Sequence, residues 1–135
     1  MKRQNVSTHT PWEPVVGYSR AVRVGPHVWV TGTAATDDAG RVVGHGDPAA
    51  QAAQCLKKIA AALERLGASL TDVVRTRIYV TDIDQWEAVG RVHGEVFGEI
   101  LPATTMVEVT RLIDPAMLVE IEAEAFVGAD PAEGP

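Results

Sequence analysis

Apolar residues recur at intervals of three or four between residues 48 and 66, at Ala52, Leu56, Ile59, Leu63 and Leu66. This spacing predicts an amphipathic α-helix, because it places all five side chains on one helical face. Asp47 can cap the first turn, and Pro48 suits the first helical position. Gly67 is the expected stop.

A second apolar stripe predicts a shorter helix that begins after a capping Asp84, and its members are Trp86, Val89, His93, Val96 and Ile100. Gly90, Gly94 and Gly98 recur every four residues on the same segment. Each glycine costs about 1 kcal/mol relative to alanine inside a helix. The repeat therefore indicates a close backbone approach, either to a neighbouring subunit or to a ligand.

The remaining apolar segments alternate and are rich in β-branched residues, which predicts strands. They are "YSRAVRVG", "HVWVTGT", "DVVRTRIYVTD", "TTMVEVTRL" and "LVEIEAEAFV". Their order around the two helices predicts an α/β (α+β) fold, with a mixed β-sheet and two helices on one face. Because several strands carry apolar residues on both faces, the second sheet face needs a cover. The same sheet of another copy is the simplest candidate.

Length and composition restrict the function classes. The 135 residues suit one domain, here residues 15–127, with an N-terminal extension at 1–14 and a flexible Gly/Pro-rich tail at 128–135. A net charge of −6 without a basic cluster disfavours nucleic acid as a partner. No apolar run approaches the ~18 residues that cross a membrane, and no signal peptide is visible. A lone cysteine, Cys55, suits a reducing compartment, so a cytoplasmic location is expected.

Several segments in this order resemble one known family. They are "GYSRAVRVG" followed by "VWVTGT", then "LERLGASLTDVVRTRIYVTDI", "LPATTMVEV" and "VEIEAEAFV". Together they resemble the Rid proteins (RidA/YjgF, also labelled L-PSP endoribonuclease) over residues 15–127. The resemblance implies a chorismate-mutase-like fold and a homotrimer with a central barrel of sheets. It also implies clefts between subunits, where active members hydrolyse imino or enamine acids such as 2-aminoacrylate.

The chain departs from that family at the ligand anchor. In deaminating members an arginine follows the Pro-Ala pair and holds the substrate carboxylate with two parallel hydrogen bonds. Here that position is Thr104, and the position two residues later, often cysteine in the family, is Met106. On the second helix, Gly90 replaces a usual asparagine and His93 a usual tyrosine. Losing one partner of a desolvated charge pair costs about 2–5 kcal/mol, so the ligand or the position of the cation must differ.

Other positions of the family's cleft are retained, namely Tyr18, Gly32 and Glu120. Glu120 is the candidate general base, and Tyr18 and His93 are candidate helpers. Substrate-binding positions are Gly32, Trp86, Gly90, Thr104 and Met106, where Trp86 could instead supply core volume. A structural alternative stays open for Glu120, because Glu122 and Glu124 share its strand face and could pair with Arg75 or Arg77.

These residues predict water-dependent acid/base chemistry on a small imine-, enamine- or carbonyl-containing metabolite, without arginine-anchored deamination of 2-imino acids. The alternatives are a trimer that binds a small molecule without catalysis and, less favoured by the charge, an endoribonuclease. No cofactor is implied. The four histidines have no ligand-like spacing and Cys55 has no second cysteine, so no metal site is expected. Cys55 itself should be a buried, inert thiol.

Overall fold

One mixed sheet organises the chain in the computed structural model, which describes residues 1–130. Its six strands are β1 (Arg3–Val6), β2 (Ala21–Val24), β3 (His27–Ala34), β4 (Val73–Val80), β5 (Ala103–Glu108) and β6 (Val119–Phe126). They lie in the order β1-β2-β3-β6-β4-β5. β4 and β5 are parallel, and the other neighbours are antiparallel. The predicted mixed α+β fold is confirmed.

The longest helix, α2 (Pro48–Arg65), follows its sequence pattern. All five residues of the predicted stripe are buried. The Asp47 side chain accepts a hydrogen bond from the Ala50 amide at 3.0 Å, which caps the first turn. Gly67 ends the helix in a left-handed conformation, with φ of +73°. α2 packs on β3 and β6, and this packing forms the core.

The second predicted helix, α3 (Trp86–Phe97), is present, but two details of its prediction were wrong. Asp84 does not cap it; a 3₁₀ turn (Ile83–Gln85) precedes α3, and the Asp82 side chain caps that turn. Trp86 is 58% exposed, so it does not belong to the buried face. Phe97 supplies the core volume instead, because its ring is fully buried one helical turn after His93.

The N-terminal segment contributes structure that the sequence did not predict. β1 pairs with β2 at one sheet edge, and a short helix, α1 (Trp12–Val16), follows it. β2 begins at Ala21, so Tyr18 lies in the loop after α1 and not in the first predicted strand. Of the predicted tail at 128–135, residues 131–135 lie outside the described residues.

The two faces of the sheet differ in what covers them. Alternate residues of β4 and β6, such as Ile78 and Ile121, are buried beneath the helices. The opposite face carries the charged residues of both strands, together with Trp29 and Phe126, which remain 43% and 38% exposed. The two predicted helices, α2 and α3, both lie on the first face, as the sequence pattern predicted.

Candidate functional site

A pocket of about 370 Å³ lies where β3 ends and β6 begins. Its polar lining includes Tyr18, Arg20, Lys58, Arg111 and Glu120, and its apolar wall is formed by Trp12, Val16, Leu112, Ile113 and Met117. Three segments that are distant in sequence therefore meet here, namely the N-terminal segment, α2 and the loop before β6. Such a concave site with a few convergent polar groups suits a small-molecule ligand.

Glu120 is the second residue of β6, and its side chain lies against a glycine of β3. A Cβ added at Gly32 would lie 3.1 Å from the Glu120 carboxyl carbon, so a larger residue would displace this side chain. The Glu120 carboxylate makes no hydrogen bond to any described residue. Burial raises its pKa, and the nearby charges of Arg20 and Lys58 offset only part of that effect. A carboxylate with these properties can take a proton from water.

Two cations beside Glu120, Arg20 and Lys58, were missed by sequence reasoning. Arg20 is only 5% exposed, and its Nη1 donates to the Gly32 carbonyl at 2.9 Å and to Thr33 Oγ1 at 3.2 Å. Lys58 Nζ donates to the Ala34 carbonyl at 2.8 Å and to Thr36 Oγ1 at 2.6 Å. For Lys58, a sequence signal was available in the helical spacing. It follows the buried Cys55 by three positions, so the two residues lie on neighbouring turns of the same side of α2.

A buried carboxylate organises the wall that carries Tyr18. Glu13 is 6% exposed and accepts hydrogen bonds from Ser7 Oγ at 2.7 Å and from the Thr10 amide at 2.9 Å. Burial alone would raise its pKa, but these hydrogen bonds outweigh burial and lower the pKa to about 2. Thr10 Oγ1 lies 3.3 Å from the Tyr18 hydroxyl. Glu13 thereby fixes the loop that holds Tyr18 at the pocket.

The loop that carries Arg111 and Met117 is fixed from α2. Gln51 is fully buried, donates to the Ala116 carbonyl at 2.8 Å and accepts from the Leu118 amide at 2.8 Å. The Gln51 side chain thereby satisfies one carbonyl group and one amide group of this loop. Gln51 therefore determines where the loop before β6 lies relative to the pocket.

A second cluster forms around the start of β5. Thr104 Oγ1 lies 2.8 Å from Thr76 Oγ1 and 3.5 Å from His93 Nε2, and His93 Nε2 lies 2.8 Å from Thr76 Oγ1. The His93 ring packs on Phe97 with 4.6 Å between ring centroids. Burial lowers the pKa of His93, which favours the neutral ring at neutral pH. Met106 packs against the core beside this cluster.

The α3 glycines have open space around them within the chain. The nearest atom to a Cβ added at Gly90 would be a Trp86 ring carbon at 3.9 Å, and nothing lies within 4 Å at Gly94. The close approach predicted for these positions is therefore not made inside the protomer. At Gly98 a Cβ would come within 2.7 Å of the Gly94 carbonyl oxygen.

The candidate residues are thus divided between two places. Tyr18, Gly32 and Glu120 share the pocket, whereas His93, Thr104 and Met106 do not line it. Thr104 pairs with Thr76, which faces the helices, but Glu120 pairs with Tyr79 on the opposite sheet face. Trp86 and Gly90 lie on α3 near His93. Within one protomer these two groups form separate half-sites.

In the glutamate stripe of β6, Glu124 pairs with an arginine, as the structural alternative predicted, whereas Glu122 pairs with a tyrosine. Arg77 Nη1 donates to Glu124 at 2.8 Å, and the Tyr79 hydroxyl donates to Glu122. Arg75 has a buried Nε without a partner among the described residues. Glu120 is therefore the member of this stripe that faces a pocket without a partner.

The remaining candidates for chemistry are the Cys55 thiol and groups of side chains that could bind a metal. Cys55 is buried, and its surroundings raise the thiol pKa to about 12, mainly through burial. Within residues 1–130 no group of three or more His, Cys, Asp or Glu side chains is placed to hold a metal ion. In the same part of the chain, no helix is both long and apolar enough to cross a membrane.

Comparison with known proteins identifies the family of the chain. The model of the family described as Endoribonuclease L-PSP matches residues 8–127. The chain belongs to this family, the Rid (YjgF/L-PSP) family. A Mycobacterium tuberculosis structure, described as a YjgF/YER057c/UK114 family member, is 54% identical to this Rid protein, with a TM-score of 0.85. The match covers 93% of this chain and all of that one.

Two further relatives cover nearly the same span of this Rid protein. A RutC family protein of Pyrococcus abyssi is 36% identical over 93% of this chain and 98% of its own length. The structure of RidA from a Psychrobacter species is 32% identical with a TM-score of 0.76, covering 82% of this chain and 88% of that one. The resemblance inferred from the sequence is therefore confirmed.

Proposed function

We propose that this Rid-family chain hydrolyses a small imine-, enamine- or carbonyl-containing metabolite by water-dependent acid/base chemistry. For an imine, water adds to the C=N carbon and ammonia leaves, so that a carbonyl compound is the product. No cofactor is required for this reaction. Glu120 would accept the proton of the attacking water, and Tyr18 and His93 would orient or protonate the substrate.

The observation that carries this proposal is the contrast along β6. Glu122 and Glu124 are paired with Tyr79 and Arg77, but the Glu120 carboxylate is half-buried in a pocket without a hydrogen-bond partner among the described residues. Its pKa is raised by burial. A perturbed carboxylate in a concave site is a recognised mark of a functional group.

The proposed active form is a homotrimer with its clefts between subunits. Two observations support it. The second sheet face carries Trp29 and Phe126 partly exposed, and the two half-sites lie apart within one chain. A neighbouring subunit could bring its His93, Thr104 and Met106 to the Glu120 pocket, with Gly32, Trp86 and Gly90 completing the walls.

Turnover of a panel of imines tests this function. The imines are generated in situ by an amino-acid oxidase, and ammonia release is followed. Glu120→Gln keeps the side-chain shape but removes its basicity, so we expect a loss of about 100- to 10,000-fold in rate. The melting temperature should change little, because no ion pair is broken.

Glu122→Gln is the matched control, since it alters the next glutamate on the same strand face. It should retain full turnover per folded protein, even where stability falls. Normal turnover by Glu120→Gln would remove Glu120 from the site.

A non-catalytic binding trimer is the second candidate, and Thr104 favours it. The Thr104 hydroxyl is already engaged by Thr76 and the Pro102 carbonyl and carries no charge to anchor an acidic substrate. Binding of small metabolites without ammonia release from any imine in the panel would support this candidate over the enzyme.

A further inference from the structure

We propose that Lys58, held beside Arg20 in the Glu120 pocket, anchors an anionic group of the ligand, a carboxylate or a phosphate. This inference rests on the proposed function of that pocket. It gives the chain a cation for its ligand at a place different from position 104, where α2 meets the end of β3 beside the Glu120 pocket.

The charge of the pocket supports an anionic ligand. Of the described residues that line it, Arg20, Lys58 and Arg111 are cationic and Glu120 alone is acidic. Even with Glu120 ionised, the lining keeps an excess of positive charge in a protein whose net charge is −6. Opposite charge within a partly desolvated pocket is the arrangement that binds small anions.

Each of the two cations is held by one backbone carbonyl and one threonine hydroxyl. Lys58 Nζ uses two of its three donors on the Ala34 carbonyl and Thr36 Oγ1. The third donor has no partner among the described residues. The Ala34 carbonyl belongs to the last residue of β3, so the ammonium group is held at the strand end that borders the pocket. A lysine restrained in this way has already lost much of its side-chain freedom, which favours binding.

Arg20 adds a second, buried positive charge beside Lys58. It is 95% buried, and its Nε has no hydrogen-bond partner within the part of the chain that the structure describes. Buried guanidinium donors are costly to leave unpaired. Burial and the Arg20 charge also lower the pKa of Lys58, and an added anion would relieve the repulsion between these two cations.

The competing explanation is that Arg20 and Lys58 only compensate the charges of Glu13 and Glu120. The two explanations differ in ligand discrimination. An anchor distinguishes a carboxylate from an isosteric amide, whereas a compensating cation has no such preference. Pyruvate and pyruvamide form a matched pair for this purpose, and inorganic phosphate tests the phosphate arm.

Calorimetry measures binding of these probes to the wild-type protein, Lys58→Met and Lys57→Met. Lys57 is the exposed neighbour on α2 and provides the same change in net charge. We expect wild type and Lys57→Met to bind pyruvate or phosphate alike, and Lys58→Met to lose about thirtyfold or more. Pyruvamide should bind equally weakly to all three. Stronger binding of pyruvate or of phosphate identifies which anion the site prefers.

Lys58→Arg is the control for a folding defect, because it keeps the charge at this position and should retain most of the anion affinity. Equal anion binding by wild type and Lys58→Met would overturn the proposal. So would an absence of pyruvate and phosphate binding to the wild-type protein at millimolar concentration. Since binding is measured without turnover, failure of the anchor is separable from failure of the hydrolase proposal, which Glu120→Gln tests.

Discussion

Glu120, Glu122 and Glu124 are the same side chain on one strand face, yet their surroundings differ. Tyr79 and Arg77 satisfy the second and third, while Glu120 faces a pocket. Strand alternation predicted that the three share a face. It could not predict their partners, because each partner depends on the register between β4 and β6.

Thr104 is the residue that we expect to limit the choice of substrate. A carboxylate bound at Lys58 meets a point charge and lacks the bidentate guanidinium fork at position 104, so we expect little or no deamination of 2-aminoacrylate, measured as ammonia release with the imine generated by a lyase. Thr104→Arg should raise that rate, since it restores a bidentate donor at the start of β5. Wild-type rates equal to those of Thr104→Arg would show that threonine is not a disabling change.

Cys55 should not react with thiol reagents in the folded protein. It is buried in α2 and its pKa is raised to about 12, so almost no thiolate exists at neutral pH. Labelling with an aromatic disulfide should be slow in buffer and stoichiometric in denaturant. Rapid native labelling would show that α2 opens locally, or that Cys55 is not in the core.

At the scale of elements, the sequence predicted a helix or strand correctly where apolar residues repeat over a long segment. The stripe that predicts α2 repeats over about four turns, from Ala52 to Leu66, and its five residues are all buried. β1 and α1 were missed because the first sixteen residues are polar and proline-rich, so they carry no periodic signal. Trp86 was wrongly assigned to the buried face. Helical spacing shows which residues share a face, but it does not show which part of that face contacts the core.

The candidate site was less predictable than the fold for a physical reason. Tyr18, Gly32 and Glu120 come from three separate segments, and family resemblance linked them. Arg20 and Lys58 were missed because a charged residue next to an apolar stripe is more often solvated. Only the tertiary contacts of Lys58 with the end of β3 show that it enters the pocket.

The segment from Ser7 to Val16 should be sensitive to acid through Glu13. The pKa of Glu13 is lowered to about 2 from 4.5, so its ionised form stabilises the folded state above about pH 4.5. This contribution is lost as the pH falls toward 2. Glu13→Gln should cost about 1.5–3 kcal/mol at neutral pH, and the difference from wild type should shrink in acid.

Denaturant unfolding at neutral pH and at pH 3 measures this difference. Glu64→Gln, an exposed glutamate of α2, is the control and should change stability by less than about 0.5 kcal/mol at either pH. A pH-independent difference between Glu13→Gln and wild type would contradict the role assigned to the Glu13 carboxylate.

At the scale of the whole molecule, two observations lead to the same proposal. The second sheet face leaves Trp29 and Phe126 partly exposed, and the two half-sites lie apart within one protomer. A closed trimer would account for both, because each subunit would offer its Glu120 pocket to the His93 and Thr104 of its neighbour. The family to which the chain belongs is consistent with such an assembly, but the assembly itself remains a prediction.

Native mass spectrometry at low micromolar concentration tests this central claim most directly. The subunit mass is 14.4 kDa, and the account predicts a dominant species of about three times that mass, without a monomer in equilibrium. A clean monomer under these conditions would leave the second sheet face exposed and the half-sites apart, which would contradict both the inter-subunit cleft and the chemistry assigned to it.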